Sequence, residues 1–299
     1  MQENLENQNN RKDFIKDAQQ IQFGIMMMII ASLFFSLTAI LIKSLNHLPL
    51  MELIFFRNLP SFLIIPFIIR LNHLPIFGEN KLLLFLRSIF GFITMIGFVY
   101  TFMKMNVTDA MAIRQLSPFA IIILSKIFLL EKFNTNQLLI FNLAFIGALL
   151  VIKPGFRYEM FPVIVGLLST FSSASGHTIL RQLRLSDHPL VIVNFFAFFS
   201  IIVSIIILTI QNNFLMPNAM EILLLLSLGL ASFLAQITLS YAYRFAPANV
   251  VSLYLYSRVL ITSILDFIIF REITDYLSII GCILIAMGGY LYFQNRVRM

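Results

Sequence analysis

Charged side chains fall inside stretches of this sequence that are otherwise apolar. Glu52 and Arg57 share one such stretch, Arg114 and Lys126 another, and SLYLYSRVLITSILDFIIF (252–270) carries Arg258 and Asp266. A charge near a bilayer centre costs about 2.5–3.5 kcal/mol on insertion scales. A residue kept there faces either a wet cavity or a counter-charge on another helix. In the first case Arg114 and Arg258 supply positive charge for a carboxylate or phosphate, while an acid such as Asp266 pairs structurally or handles protons.

Spacing refines each candidate. In DAMAIRQLSPFA, Pro118 has no amide hydrogen to bond the carbonyl of residue 114. A kink and a freed carbonyl therefore fall beside Arg114 and Gln115, a combination tolerated at membrane depth where a cavity re-satisfies it. The competing reading is an arginine snorkelling to the outer surface. Tyr254 and Thr262 lie one turn either side of Arg258 and would share its helix face. Asp266 is about 12 Å further along the axis, so its partner belongs on another helix, with Lys126 a candidate; a buried ion pair locking the structure is the alternative. Glu52 reads as near the outer interface and Arg57 as deeper, with structure and proton coupling both open for them. In STFSSASGHTI, Ser169, Ser172, Ser173 and Gly176 form a narrow face of small residues, which favours close helix contact. Ser173 and the adjacent His177, a group that could titrate near neutrality, are also pocket candidates, as are Gln236, Tyr241 and Tyr256. The 32 phenylalanines read as lipid-facing filler.

The elements that must position these residues follow from composition. The chain of 299 residues is 59% hydrophobic and 12% charged, with a mean hydropathy of +0.90. That balance excludes an ordinary water-soluble fold. Apolar runs of bilayer-spanning length predict ten spans near 21–44, 50–70, 81–103, 107–130, 136–153, 161–182, 189–210, 219–244, 247–270 and 275–294. The formal charge of +7 sits mainly in short loops, where it reads as an orientation signal and not as a nucleic-acid surface. With a cytoplasmic N-terminus, twelve Lys and Arg, Arg87 among them, fall on the inside and five on the outside. Residues 1–20 read as a cytoplasmic tail, partly helical along the membrane surface from Arg11, and both termini are expected inside. Cys282 lies alone in an apolar run. Neither G-x-x-x-x-G-K-[ST] nor H-E-x-x-H is present, so no cofactor or metal is expected.

The chain also resembles itself at a constant offset: Tyr100 meets Tyr241, Glu131 meets Glu272, and Gly147 meets Gly288. Five spans per copy is odd, so the second copy enters the membrane from the opposite side. Inverted repeats recur in secondary transporters, with the substrate site near the midplane. The predicted fold is an all-α polytopic membrane protein of ten transmembrane helices, in repeats 21–157 and 158–299.

These residues resemble the pattern of EamA-type permeases of the drug/metabolite transporter superfamily. The resemblance is carried by Tyr100 and Tyr241 before short turns, Ala-Pro-Ala at 246–248 and Ser-Pro at 117–118. Glu131 and Glu272, Gly147 and Gly288, and E-x-x-F-F-R-N from Glu52 to Asn58 complete it. It implies a ten-helix basket whose cavity is lined mainly by the first, third, fourth, sixth, eighth and ninth helices. The pattern departs at Arg271-Glu272. Glu131 and Glu272 are expected to serve the N-termini of the fifth and tenth helices. The expected function is alternating-access transport of a small organic metabolite, amino-acid-like or nucleoside-containing, with S-adenosylmethionine one choice and protons a candidate coupling ion. Alternatives are an exporter of other specificity, a channel or a membrane-embedded enzyme; the last would need an acid, base or metal cluster that the sequence lacks. The expected location is a bacterial inner membrane, with a small-molecule substrate and the lipid bilayer as partners.

Overall fold

In hydrocarbon, backbone N–H and C=O groups must find partners within the chain, and an apolar run satisfies this as a helix. The computed structural model describes residues 2–104, 113–131, 135–152, 160–212, 214–270 and 276–297, and every regular element among them is helical. In order these are α1 (Gln2–Ser44), α2 (Leu50–Leu71), α3 (Lys81–Lys104), α4 (Ser117–Phe128), α5 (Thr135–Ile152) and α6 (Met160–Leu183). Then come α7 (Pro189–Gln211), α8 (Ala219–Phe245), α9 (Ser257–Phe270) and α10 (Tyr276–Val297), with a one-turn helix Ala248–Val251 and a 3₁₀ turn Leu253–Tyr256 leading into α9. Among the described residues, six helical segments are long and apolar enough to cross a membrane: Gln19–Ile42, Leu50–Leu71, Lys81–Thr101, Met160–Leu183, Pro189–Gln211 and Ala219–Phe245. Shorter apolar helices cover Ser117–Phe128, Gln137–Leu150 and Ile279–Leu291. The protein is an all-helical, multi-pass membrane protein.

Two expectations change here. The polar N-terminal segment continues into the first span as one helix from Gln2 instead of forming a separate surface element. No glycine or proline interrupts the chain before Gly24, so the helix has no reason to break. The fourth and ninth spans are both interrupted. Ile113 and Arg114 are helical, Gln115 and Leu116 form a turn, and Pro118 then occupies the first turn of α4. Pro118 thus starts a helix, where its missing N–H costs nothing, instead of kinking one.

Side-chain hydroxyls within the spans bond carbonyls one turn back: Ser36 donates to Ser32 at 2.9 Å, Thr38 to Phe34 at 2.8 Å and Ser88 to Leu84 at 2.9 Å. Their polar atoms are thereby satisfied within the helix that carries them. The helices interleave: α1 packs on α8, α3 on α6, α2 on α7 and α5 on α10. The glycines paired by the sequence offset both lie in the last of these contacts. A Cβ on Gly147 would fall 2.7 Å from the Gly281 carbonyl, and one on Gly288 would fall 3.3 Å from Ala144 Cβ. Small residues here let the two backbones meet, which is how helices associate where lipid removes the hydrophobic drive.

Candidate functional site

The interleaved helices leave a cavity of about 480 Å³, within the size range of small-molecule sites. It reaches the α1–α2 connection at Asn46 and Leu48 and extends inward to Gln236 and Leu239 on α8. Beyond Leu239 it ends on a dry cluster that includes Leu84, Leu180, Ala242, Tyr243, Ala246 and Val251.

Arginines dominate its polar wall. Arg57 from α2, Arg87 from α3, Arg114 from the broken fourth segment and Arg258 from α9 all line the cavity, whose wall contains no Asp or Glu among the described residues. The guanidiniums rest on aromatic faces instead. Arg114 lies 3.8 Å from the centroid of Phe98, Arg258 4.6 Å from Phe35 and Arg87 5.2 Å from Phe196. A desolvated cation–π contact contributes up to about 2 kcal/mol, less than the cost of holding an arginine at membrane depth. The rings therefore orient the cations without neutralising them. Nε of Arg87, Nε of Arg258 and Nδ1 of His177 are buried without a hydrogen-bond partner among the described residues. Four cationic side chains line a concave wall that holds no described acid, an arrangement whose electrostatics suit an anion.

The breaks in the fourth and ninth segments set this geometry. Tyr256, fully buried at the end of the 3₁₀ turn, donates its hydroxyl to the Gln115 carbonyl at 3.1 Å. That bond ties the two interruptions together and fixes Arg114 and Arg258 on either side of it. Thr262, on the cavity face with Arg258, donates to Ser36 Oγ at 3.0 Å and ties α9 to α1.

Of the candidates read from sequence, Arg114, Gln115, Ser173, His177, Gln236 and Arg258 come together in the cavity wall. Gln236 Oε1 accepts from Arg87 Nη2 at 3.5 Å. Ser169 instead serves helix contact, donating to the Thr94 carbonyl at 2.9 Å. Tyr254 does not line the cavity; its hydroxyl donates to the Gly289 carbonyl at 3.2 Å. The 3₁₀ turn has three residues per turn, so the shared face predicted for Tyr254 and Arg258 is lost at Ser257. Tyr241 also lies elsewhere, stacked on Phe245 with the rings 6.1 Å apart and edge-on to His188. Glu52 is buried beside the cavity wall and accepts from the Leu215 amide at 3.2 Å. Lys126 is exposed on α4, away from the cavity, and the side chain of its suggested partner Asp266 lies outside the described residues, as do Arg271 and Glu272.

Sequence reasoning missed three features. It placed Arg87 in a cytoplasmic connection, although Arg87 lies six residues into α3, about 9 Å of helix rise, and is buried. It counted Arg57 only as a coupling or structural charge, whereas Arg57 lines the cavity. It treated the phenylalanines as filler, whereas three of them seat the arginines. The usable signal for Arg87 was its distance from Lys81, the residue that opens the same apolar run.

Glu131 also departs from expectation. Leu130 adopts a left-handed φ of 52°, which turns Glu131 back across the bundle end. Its carboxylate accepts from the amides of Ala248 and Asn249 at 3.0 and 3.1 Å, serving the one-turn helix 248–251; the residues leading into α5 lie outside the described ones. It also pairs with Arg181 at 3.3 Å, and Arg181 Nη1 donates to the last carbonyls of α8, Tyr243 at 2.9 Å and Arg244 at 3.2 Å.

Comparison with known proteins places this geometry. The EamA-like transporter family matches residues 22–153 and again 160–294. The pseudopaline exporter of Pseudomonas aeruginosa is 28% identical over 272 residues, 90% of this chain and 95% of its own length. The S-adenosylmethionine uptake transporter of Rickettsia bellii is 25% identical over 238 residues, 78% of this chain and 80% of its own length. One crystal structure superposes with a TM-score of 0.81 at 13% identity, covering 92% of this chain and 98% of that one, a likeness of fold.

Proposed function

The chain belongs to the EamA-like transporter family, and we propose that it is a secondary transporter of a small organic anion, working by alternating access between two inverted five-helix repeats. The observation that carries the substrate reading is the cavity wall itself: four arginines, three of them seated on phenylalanines, and no carboxylate among the described residues. Arg114 and Arg258 hold a carboxylate or phosphate, while Gln115, Ser173, His177 and Gln236 shape the pocket. S-adenosylmethionine, a sulfonium cation with one carboxylate and one ammonium group, fits this charge poorly. An amino-acid-like or nucleotide-like metabolite with excess negative charge fits it well.

Support for the inverted repeats comes from the two successive family matches, the constant offset between the halves and the crossing of α5 and α10 at Gly147 and Gly288. The distribution of Lys and Arg supports cytoplasmic termini. With that orientation the cavity opens away from the cytoplasm, and the Glu131–Arg181 end faces it.

Counterflow in proteoliposomes tests the proposal, using a panel of carboxylates, phosphate esters, amino acids and nucleosides. Saturable exchange of an anionic member is expected. Folded, inserted protein that exchanges none of them, or an Arg114→Ala/Arg258→Ala variant that transports as well as the parent, would sink it.

A further inference from the structure

The four arginines stand at two depths. Arg57, Arg114 and Arg258 are near enough to act on one another electrostatically. Arg87 lies closer to the closed end, on Phe196 and against Gln236, and His177 on the cavity wall is within electrostatic range of Arg87, Arg114 and Arg258 alike. Both Arg87 and Phe98, the seat of Arg114, belong to α3. Their backbones are eleven positions apart, roughly 16 Å of helix rise, and the Arg87 side chain reaches one turn of that distance toward Phe98, to lie beside Gly91. At each depth one guanidinium nitrogen is buried with no hydrogen-bond partner among the described residues: Nε of Arg258 in the first group and Nε of Arg87 in the second.

A single carboxylate reaching the first group would leave Arg87 buried and uncompensated. It would also leave at least two like charges facing each other in the first group. Two unit charges about 6 Å apart repel appreciably even at an effective dielectric near 20, and burying a charge without a partner is costly. A neutral or zwitterionic solute brings no net charge and relieves neither strain.

We propose that the transported species is an elongated anion carrying at least two separated anionic groups, carboxylate or phosphate, one held by Arg57, Arg114 and Arg258 and the other by Arg87 with Gln236. This rests on the transporter reading and narrows its substrate class. It also gives binding roles to Arg57 and Arg87. Phe35, Phe98 and Phe196 position the guanidiniums, and the cavity length selects the spacing of the two anionic ends.

The test is ligand-induced thermal stabilisation of the purified full chain, at an ionic strength held constant with chloride. Hexanoate and adipate match in carbon number and differ by one carboxylate; butylphosphonate and butane-1,4-diphosphonate make the parallel comparison for phosphate-like groups. In at least one series the double anion is expected to bind about tenfold or more tighter than the single one, the size of one charge-assisted hydrogen-bonding site. The series in which this occurs tells carboxylate from phosphate. Arg87→Gln should collapse the preference for the double anion over the single one, and Arg87→Lys should retain part of it. Equal affinity for single and double anions in both series overturns the proposal, as does an Arg87→Gln variant with an undiminished preference. If that variant does not fold, the parent protein's two series decide. Double-anion stabilisation without counterflow would break the transporter reading and leave standing only the two-anion binding site. Counterflow of a monoanion or zwitterion with no preference for double anions would do the reverse.

Discussion

Arg181 and Arg258 are the same residue in the same membrane protein, in opposite circumstances. Arg181 meets the Glu131 carboxylate and two carbonyls at the end of α8. Arg258 lies over Phe35, lines the cavity and keeps a buried Nε without a partner. At the Arg181 end, the network joins three elements by satisfying groups that helix termini leave open: amides at the start of 248–251 and carbonyls at the end of α8. A second clasp repeats the logic nearby, where Asp187 accepts from the amides of Glu79 at 2.7 Å and Asn80 at 3.3 Å, just ahead of α3. Charges there are consumed by structure. In the cavity they are oriented and left available. What separates these two arginines is their pairing among the described residues more than their depth.

If that contrast is right, substituting the two kinds of arginine should move stability in opposite directions. Arg181→Met leaves Glu131 facing the cluster alone, and breaking a buried pair in this way costs about 3–5 kcal/mol. A large drop in melting temperature in detergent is expected, whatever happens to transport. Arg114→Met should leave the melting temperature unchanged or raised, because it removes a repelling charge, while lowering transport about tenfold or more through the loss of one charge-assisted contact. A binding site held at the expense of stability behaves this way. Equal destabilisation by both variants would erase the distinction.

The double variant Arg114→Ala/Arg258→Ala should lower counterflow efficiency by about a hundredfold or more, from the loss of two charge-assisted contacts. Its helical circular dichroism should match the parent. The aromatic seats come next. Phe98→Leu keeps the apolar bulk but removes the ring face, and should weaken substrate binding by about 0.5–2 kcal/mol, read as an increased half-saturation concentration. A Phe far from any arginine, such as Phe171 on the exposed surface, should tolerate the same change without effect. The smallest expected change is for Tyr256→Phe, which loses one hydrogen bond to the Gln115 carbonyl, worth about 1 kcal/mol. It should lower stability slightly and loosen the link between the fourth and ninth segments.

Much of this architecture was legible in the residues themselves. Apolar runs of spanning length dictate helices because lipid offers the backbone no partner. Gly147 and Gly288, matched by the offset as members of a repeat, both lie in the α5–α10 contact, a meeting the offset did not itself predict. Arg114 and Arg258 stood out because a charge in an apolar run needs a reason. His177, Ser173, Gln115 and Gln236 were also picked out, and all line the cavity. Tyr254 and Tyr241 were misplaced because helical periodicity was extended across a 3₁₀ turn in one case and a polar hydroxyl was taken as a wall residue in the other. Arg87 was missed because an arginine near a span's start resembles an orientation signal until its burial is known.

Sequence alone determined that this chain is helical, lies in a membrane and holds charges there, since those follow from local composition and the solvent. Only the tertiary structure decided which charges have partners. Glu131 meets Arg181 from a different helix end, and Arg114 meets the ring of Phe98 from a different segment. Pairing is a property of positions in space, and an unpaired arginine is defined by what the fold withholds from it.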